Sequence, residues 1–127
     1  MTPVVFINCD RYPFMDWIIG DVKTYETRSR DSLRSLVGRR VLFAETGRGH
    51  RPLCRCSGVI GEPLVVRSRD DWRRLRSRHC VHPGSPYDWK PGTTVKYLYP
   101  ITGVVACYPF TPPEDVRHGR VWMEYHN

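Results

Sequence analysis

The chain has 127 residues, 40% of them apolar, enough for one core and too few for two, so a single domain over residues 1–127 is expected. Its net charge of +7 comes from 20 basic residues, only three of them lysine (Lys23, Lys90 and Lys96). No apolar run is long enough to cross a bilayer, and residues 1–6 enter strand-like sequence without a basic lead or a small-residue cleavage site, so a soluble, cytoplasmic protein is expected.

Residues 4–8 read as a first strand. Asp10 is placed to cap a short helix whose Phe14, Trp17 and Ile18 fall at i, i+3 and i+4, with Gly20 to end it. Residues 23–29 are rich in Thr and Tyr and read as a second strand, and residues 31–38 as a capped turn or two of helix with an apolar side of Leu33, Leu36 and Val37. A third strand over 40–45 leads into a flexible basic loop, 46–51, and a fourth strand over 52–60. Ser68, with Asp70 and Asp71 behind it, opens a helix running to about His79. That helix turns Trp72, Leu75 and His79 inward and Arg73, Arg74, Arg76 and Arg78 mostly outward. A Pro- and Gly-rich loop, 83–92, carries Tyr87 and Trp89, and loops that carry aromatics often carry function. Strands over 94–99 and 103–108, a turn at Pro109, Pro112 and Pro113, and a last strand over 121–125 complete the chain.

Six or seven short strands with two or three short helices between them predict an α+β fold, a small closed or nearly closed β-barrel with helices over its openings. Parallel α/β architecture is disfavoured, because the helices are too few and no Gly-rich phosphate loop follows a strand.

The five cysteines are odd in number, and Cys54-Arg55-Cys56 has the alternation of same-face strand positions. His79, Cys80 and His82 offer metal-ligand chemistry alongside them. No Cys-x-x-Cys pair is present, however, so the thiols read as reduced core groups and neither metal nor cofactor is expected. The arginine excess suits phosphate contacts, yet a base-rich genome also inflates arginine, and charge alone locates no site.

The segment Gly20-Asp21-Val22-Lys23-Thr24-Tyr25-Glu26-Thr27-Arg28 resembles the signature of the ASCH family, G-x-K-x-x-E-x-R on a PUA-like β-barrel. Lys23, Glu26 and Arg28 match; Gly20 lies one residue too far from Lys23, so the turn entering the strand must differ. The order of elements is also similar over most of the chain. The resemblance implies a cleft in the barrel mouth that binds RNA, a nucleoside or a modified base. Family members are linked to RNA binding, to nuclease activity and, in one subset, to amide hydrolysis of N4-acetylcytidine. In that subset a Thr stands two positions before the motif's Arg; Glu26 occupies that place here, so the Thr does not carry over.

Strand alternation sets Thr24, Glu26 and Arg28 on one face and Lys23, Tyr25 and Thr27 on the other. Lys23 and Glu26 can therefore cooperate only if the backbone is irregular just before the strand. In one cleft the three charged groups would hold each other ionised, with Glu26 as a general base and Lys23 or Arg28 on a developing oxyanion; with Glu26 only structural, Asp88 or Glu45 is the candidate second acid. Tyr87 and Trp89 offer stacking faces for a base, and Arg48, His50 and Arg51, with the arginine face of the 68–79 helix, offer phosphate contacts. The leading expectation is an RNA- or nucleoside-binding domain. An N4-acetylcytidine amidohydrolase-like enzyme, a ribonuclease and a non-catalytic adaptor are the alternatives.

Overall fold

The computed structural model describes residues 2–112 and 122–125. Seven strands form one curled, mixed sheet, a half-barrel: β1 (Thr2–Asn8), β2 (Tyr25–Arg28), β3 (Arg40–Thr46), β4 (Leu53–Ile60), β5 (Leu64–Val66), β6 (Lys96–Phe110) and β7 (Trp122–Tyr125). Three short helices accompany it, α1 (Phe14–Ile19), α2 (Arg69–Arg74) and α3 (Arg76–His79). The expected small α+β barrel is therefore what forms. The strand order is β2-β6-β4-β3-β1-β7, with β5 also on β6, and among the described residues only β1 and β3 run parallel.

Strand β6 organises the sheet. Two separate strands were expected where the chain makes one of 15 residues, whose first half pairs with β2 and β5 and whose second half pairs with β4. Gly103, the residue expected to start a new strand, instead takes φ 59° within the strand, and an added Cβ would stand 2.9 Å from the Arg40 guanidinium. Pro109 lies in this strand rather than in the turn after it; Pro113 and Val121 fall outside the described residues. Strand β5, only three residues long, was not anticipated.

Burial explains the layers. Val5, Ile7, Phe43, Cys56 and Tyr99 face α1 and its Met15 and Ile18 in the main core. Leu98, the neighbour of Tyr99, points the other way, against Trp72, Val66 and Val81. Consecutive buried residues on β1 and β6 mark strands covered on both faces. The fourth strand bulges at Arg55, since Phe43 pairs with Cys56 and the next residue, Ala44, with Cys54. The two thiols therefore enter different clusters, Cys54 beside Val4 and Met123, rather than sharing one face.

The helices depart from expectation in informative ways. Ser68 caps α2 by accepting from the Asp71 amide, but Asp10 does not cap α1, which starts from Pro13. The Asp10 carboxylate instead accepts from the Arg48 amide, 2.9 Å away. Residues 31–38 form only a 3-10 turn, Arg34–Leu36. The expected single helix over 68–79 breaks at Leu75, and the break turns Arg76 inward to donate to the Val81 carbonyl.

Trp72 is fully buried, stacked 3.8 Å from His79 and packed on Leu98, so it ties α2 and α3 to the sheet. Replacing it with Ala is expected to cost about 3–5 kcal/mol, read as a lowered midpoint in urea unfolding; an unchanged midpoint would contradict this packing role.

Candidate functional site

The seam of the half-barrel is where β1 and β2 approach without pairing. Among the described residues β7 pairs with β1 from Thr2 to Val5, and Phe6, Ile7 and Asn8 line a cleft shared with β2. Arg28 spans that gap, donating to the Phe6 carbonyl at 3.0 Å. A cleft of about 310 Å³ opens there, lined by residues 6–8 of β1, Phe14 of α1, Lys23, residues 26–29, and Tyr87 and Lys96 among others.

The backbone irregularity required for Lys23 and Glu26 to meet is present. Beyond α1 the Val22 and Lys23 amides both donate to the Trp17 carbonyl, at 2.8 and 3.0 Å. Asp21, standing where the ASCH signature has its Gly, takes φ 61°, while Gly20 does not. The left-handed residue thus falls two positions before Lys23, in a side chain that tolerates it. Strand β2 starts only at Tyr25, so Lys23 escapes strict alternation and reaches the same cleft as Glu26.

Three charged groups meet there. The Lys23 amine is 2% exposed; it donates to the His79 carbonyl, lies 3.9 Å from Glu26 Oε1 and sits 4.9 Å over the Phe14 ring. Burial pushes that amine below its ordinary pKa, with the Glu26 carboxylate pulling the other way. Glu26 Oε2 accepts from Arg28 at 2.7 Å and Oε1 accepts from the Thr27 amide at 3.2 Å. The residue whose carbonyl receives Lys23 is itself anchored through its ring. Val81 N–H donates to His79 Nδ1 at 2.9 Å, so Nε2 carries the proton that faces the Trp72 carbonyl, also at 2.9 Å. That imidazole is neutral, and burial lowers its pKa to about 4. Both its ring nitrogens are occupied within the protein.

The other expected site residues divide. Tyr87 lines the cleft, edge-on to Phe14 at 5.9 Å, and Lys96 donates to the Tyr87 carbonyl at 3.1 Å. Trp89 and Asp88 turn to the far side of the loop, where Trp89 packs on Trp72. Asp88 accepts from Trp72 Nε1 at 2.7 Å and from the Gly84 amide at 2.9 Å, and Arg76 lies 3.5 Å away. Burial alone would raise its pKa, but these hydrogen bonds outweigh it and hold the carboxyl at about 2. Thr24 does not line the cleft; its amide donates to the Arg78 carbonyl, and its buried hydroxyl has no hydrogen-bond partner among the described residues. Glu45 is buried between His50 Nε2 and Arg55 Nη1, at 3.2 and 3.0 Å. Arg48 donates through Nε to the Cys9 carbonyl, and Arg51 ends the exposed 46–51 loop; neither lines the cleft. Lys96 and Phe14 were missed as site residues, although the scarcity of lysine that singles out Lys23 applies equally to Lys96.

Set beside solved structures, the chain superimposes on a point mutant of ZmASCH from Zymomonas mobilis with a TM-score of 0.76. The match covers 99% of this chain and 88% of that one at 14% sequence identity. The chain has an ASCH-like fold. No protein-family model and no curated protein matches it. No helix among the described residues is long and apolar enough to cross a membrane.

Two predictions test this geometry. Because the folded Asp88 pKa lies below the ordinary carboxylate value, its contribution is full above about pH 4 and disappears as pH falls toward 2, roughly 2 kcal/mol in all. Acid unfolding should show that loss in the wild type and not in Asp88→Asn; the His79 contribution, lost between about pH 6.5 and 4, should persist in both. For the turn, Asp21→Gly should hold or raise the melting temperature, whereas a drop of several degrees would mean the Asp21 side chain contributes more than its backbone conformation costs.

Proposed function

We propose that the seam cleft binds RNA or a nucleoside, with a modified base as a natural occupant. The observation that carries this reading is the convergence, in about 310 Å³, of a Tyr87 wall with the Lys23, Glu26 and Arg28 network. That volume lies at the lower end for small-molecule pockets and suits one base with its sugar better than a large ligand. A carboxylate accepts from the exocyclic amine of a base, an ammonium and a guanidinium donate to its carbonyl or to a phosphate, and an aromatic ring stacks on its face. The ASCH-like fold supports the same reading, since the motif resemblance and the fold point to one family of clefts.

A second reading, hydrolysis of an amide on a modified base such as N4-acetylcytidine, is favoured by the buried amine of lowered basicity beside a carboxylate. Thr27 lines the cleft and Thr24 does not, but Glu26 holds the place of the subset's Thr, and this reading takes water as the nucleophile. Glu26 takes the water's proton as its oxygen attacks the acyl carbon; Lys23 or Arg28 stabilises the oxyanion, and the proton passes to the departing amine.

Wild-type protein should bind labelled single-stranded RNA or N4-acetylcytidine, and Lys23→Ala and Glu26→Ala should each weaken binding at least ten-fold. Either substitution strands a buried charge, so Tyr87→Ala serves as the variant that keeps the network, with a loss of roughly 5- to 100-fold from stacking. Release of acetate or shortened RNA by the wild type, abolished in both charge variants, would establish turnover. Binding without turnover fits a recognition module, and no interaction with either ligand would discard the proposal.

A further inference from the structure

The 87–89 loop has a pocket on each side. Tyr87 faces the seam cleft, and Asp88 and Trp89, the next two residues, face a second hollow of about 190 Å³. Lys96 stands between the two, its amine 3.1 Å from the Tyr87 carbonyl and 5.4 Å over the Trp72 ring that lines the second hollow. The remaining lining is Arg69 and Arg73, at i and i+4 on α2, and Arg76, which the break at Leu75 turns toward the same hollow.

These arginines are not equivalent. Arg76 is fixed by the Val81 carbonyl and Asp88, and Arg74, outside the hollow, pairs with Asp71 at 3.6 Å. Arg69 and Arg73 have no hydrogen bond or ion pair among the described residues. Asp88 is the one carboxylate in the hollow, and its oxygens are covered by Trp72 Nε1 and the Gly84 amide. Two guanidinium groups without a partner among the described residues, beside an indole and in a space too small for a second nucleoside, match a phosphate with an adjoining stacked edge.

We infer that this hollow is a phosphate subsite of the seam cleft, so that the ligand is a strand of single-stranded RNA whose backbone crosses the 87–89 loop, not a free nucleoside. The inference rests on the proposed function and narrows it. A free nucleoside fills the cleft and leaves Arg69 and Arg73 unused; a nucleotide strand carries its anions beside the base, where these two residues wait.

The test is the exposed double variant Arg69→Ala/Arg73→Ala, titrated with cytidine and with a labelled single-stranded oligoribonucleotide over a range of salt. RNA affinity should fall at least ten-fold, with the slope of log affinity against log salt flattened by about 1.4, the loss of two phosphate contacts. Cytidine affinity should not change, whereas Glu26→Ala should weaken both ligands. RNA affinity and salt slope unaltered in the double variant would overturn the subsite while leaving the cleft reading intact. If Glu26→Ala alters neither ligand, the cleft reading itself falls, and the shared strand with it. An acidic peptide of equal charge that displaces the RNA as well as unlabelled RNA does would also overturn the assignment to RNA.

Discussion

The buried ammonium of Lys23 is the constraint around which the site is arranged. A charge taken out of water is tolerated only with partners of good geometry, and Lys23 finds them in the His79 carbonyl, the Glu26 carboxylate and the Phe14 ring. Each partner belongs to a different element, so satisfying one amine aligns the end of α3, strand β2 and helix α1. Arg28 extends the same network to the Phe6 carbonyl on β1, bridging strands that share no ladder at that point. The polar chain thereby links the two sides of the seam through side chains.

His79 shows how the support behind a site differs from the site. It is fully buried and neutral, with one ring nitrogen accepting and the other donating to the backbone, and its ring lies flat on Trp72. Its carbonyl, not its imidazole, meets Lys23. Asp88 works similarly on the other side of the loop, gathering Trp72 and the Gly84 amide and so fixing the Tyr87 backbone next to it. His79 and Asp88, both strongly shifted, act here as supports, and the cleft they frame owes its chemistry to Lys23 and its neighbours.

Much of the fold was legible in the sequence because strand alternation and turn residues are local signals. The first four strands, the Ser68 cap and the motif's place at the head of β2 all follow from residues close in sequence. Long-range matters were not legible. Nothing local indicates that residues 96–110 form one strand, since Pro100 and Gly103 have the composition of a turn and only pairing to β2, β5 and β4 keeps the segment extended. The bulge at Arg55 likewise depends on a partner strand, and it reversed the expectation for Cys54 and Cys56. In the site, Lys23, Glu26, Arg28 and Tyr87 were named because motif and loop composition mark them. Asp88 and Trp89 were grouped with Tyr87 by adjacency alone, and adjacent residues on a tight loop face opposite ways.

The pairing of β1 with β7 joins residues 2–5 to residues 122–125, a contact spanning almost the whole sequence. Such a ladder has the largest loop-closure entropy in the molecule, so it gains least from early formation. The strands around β6 and β4, which close shorter loops, are the natural framework on which it docks. Among the described residues, then, the partner of longest sequence separation covers β1 only over residues 2–5, and it is Arg28 of β2 that reaches the Phe6 carbonyl beyond them.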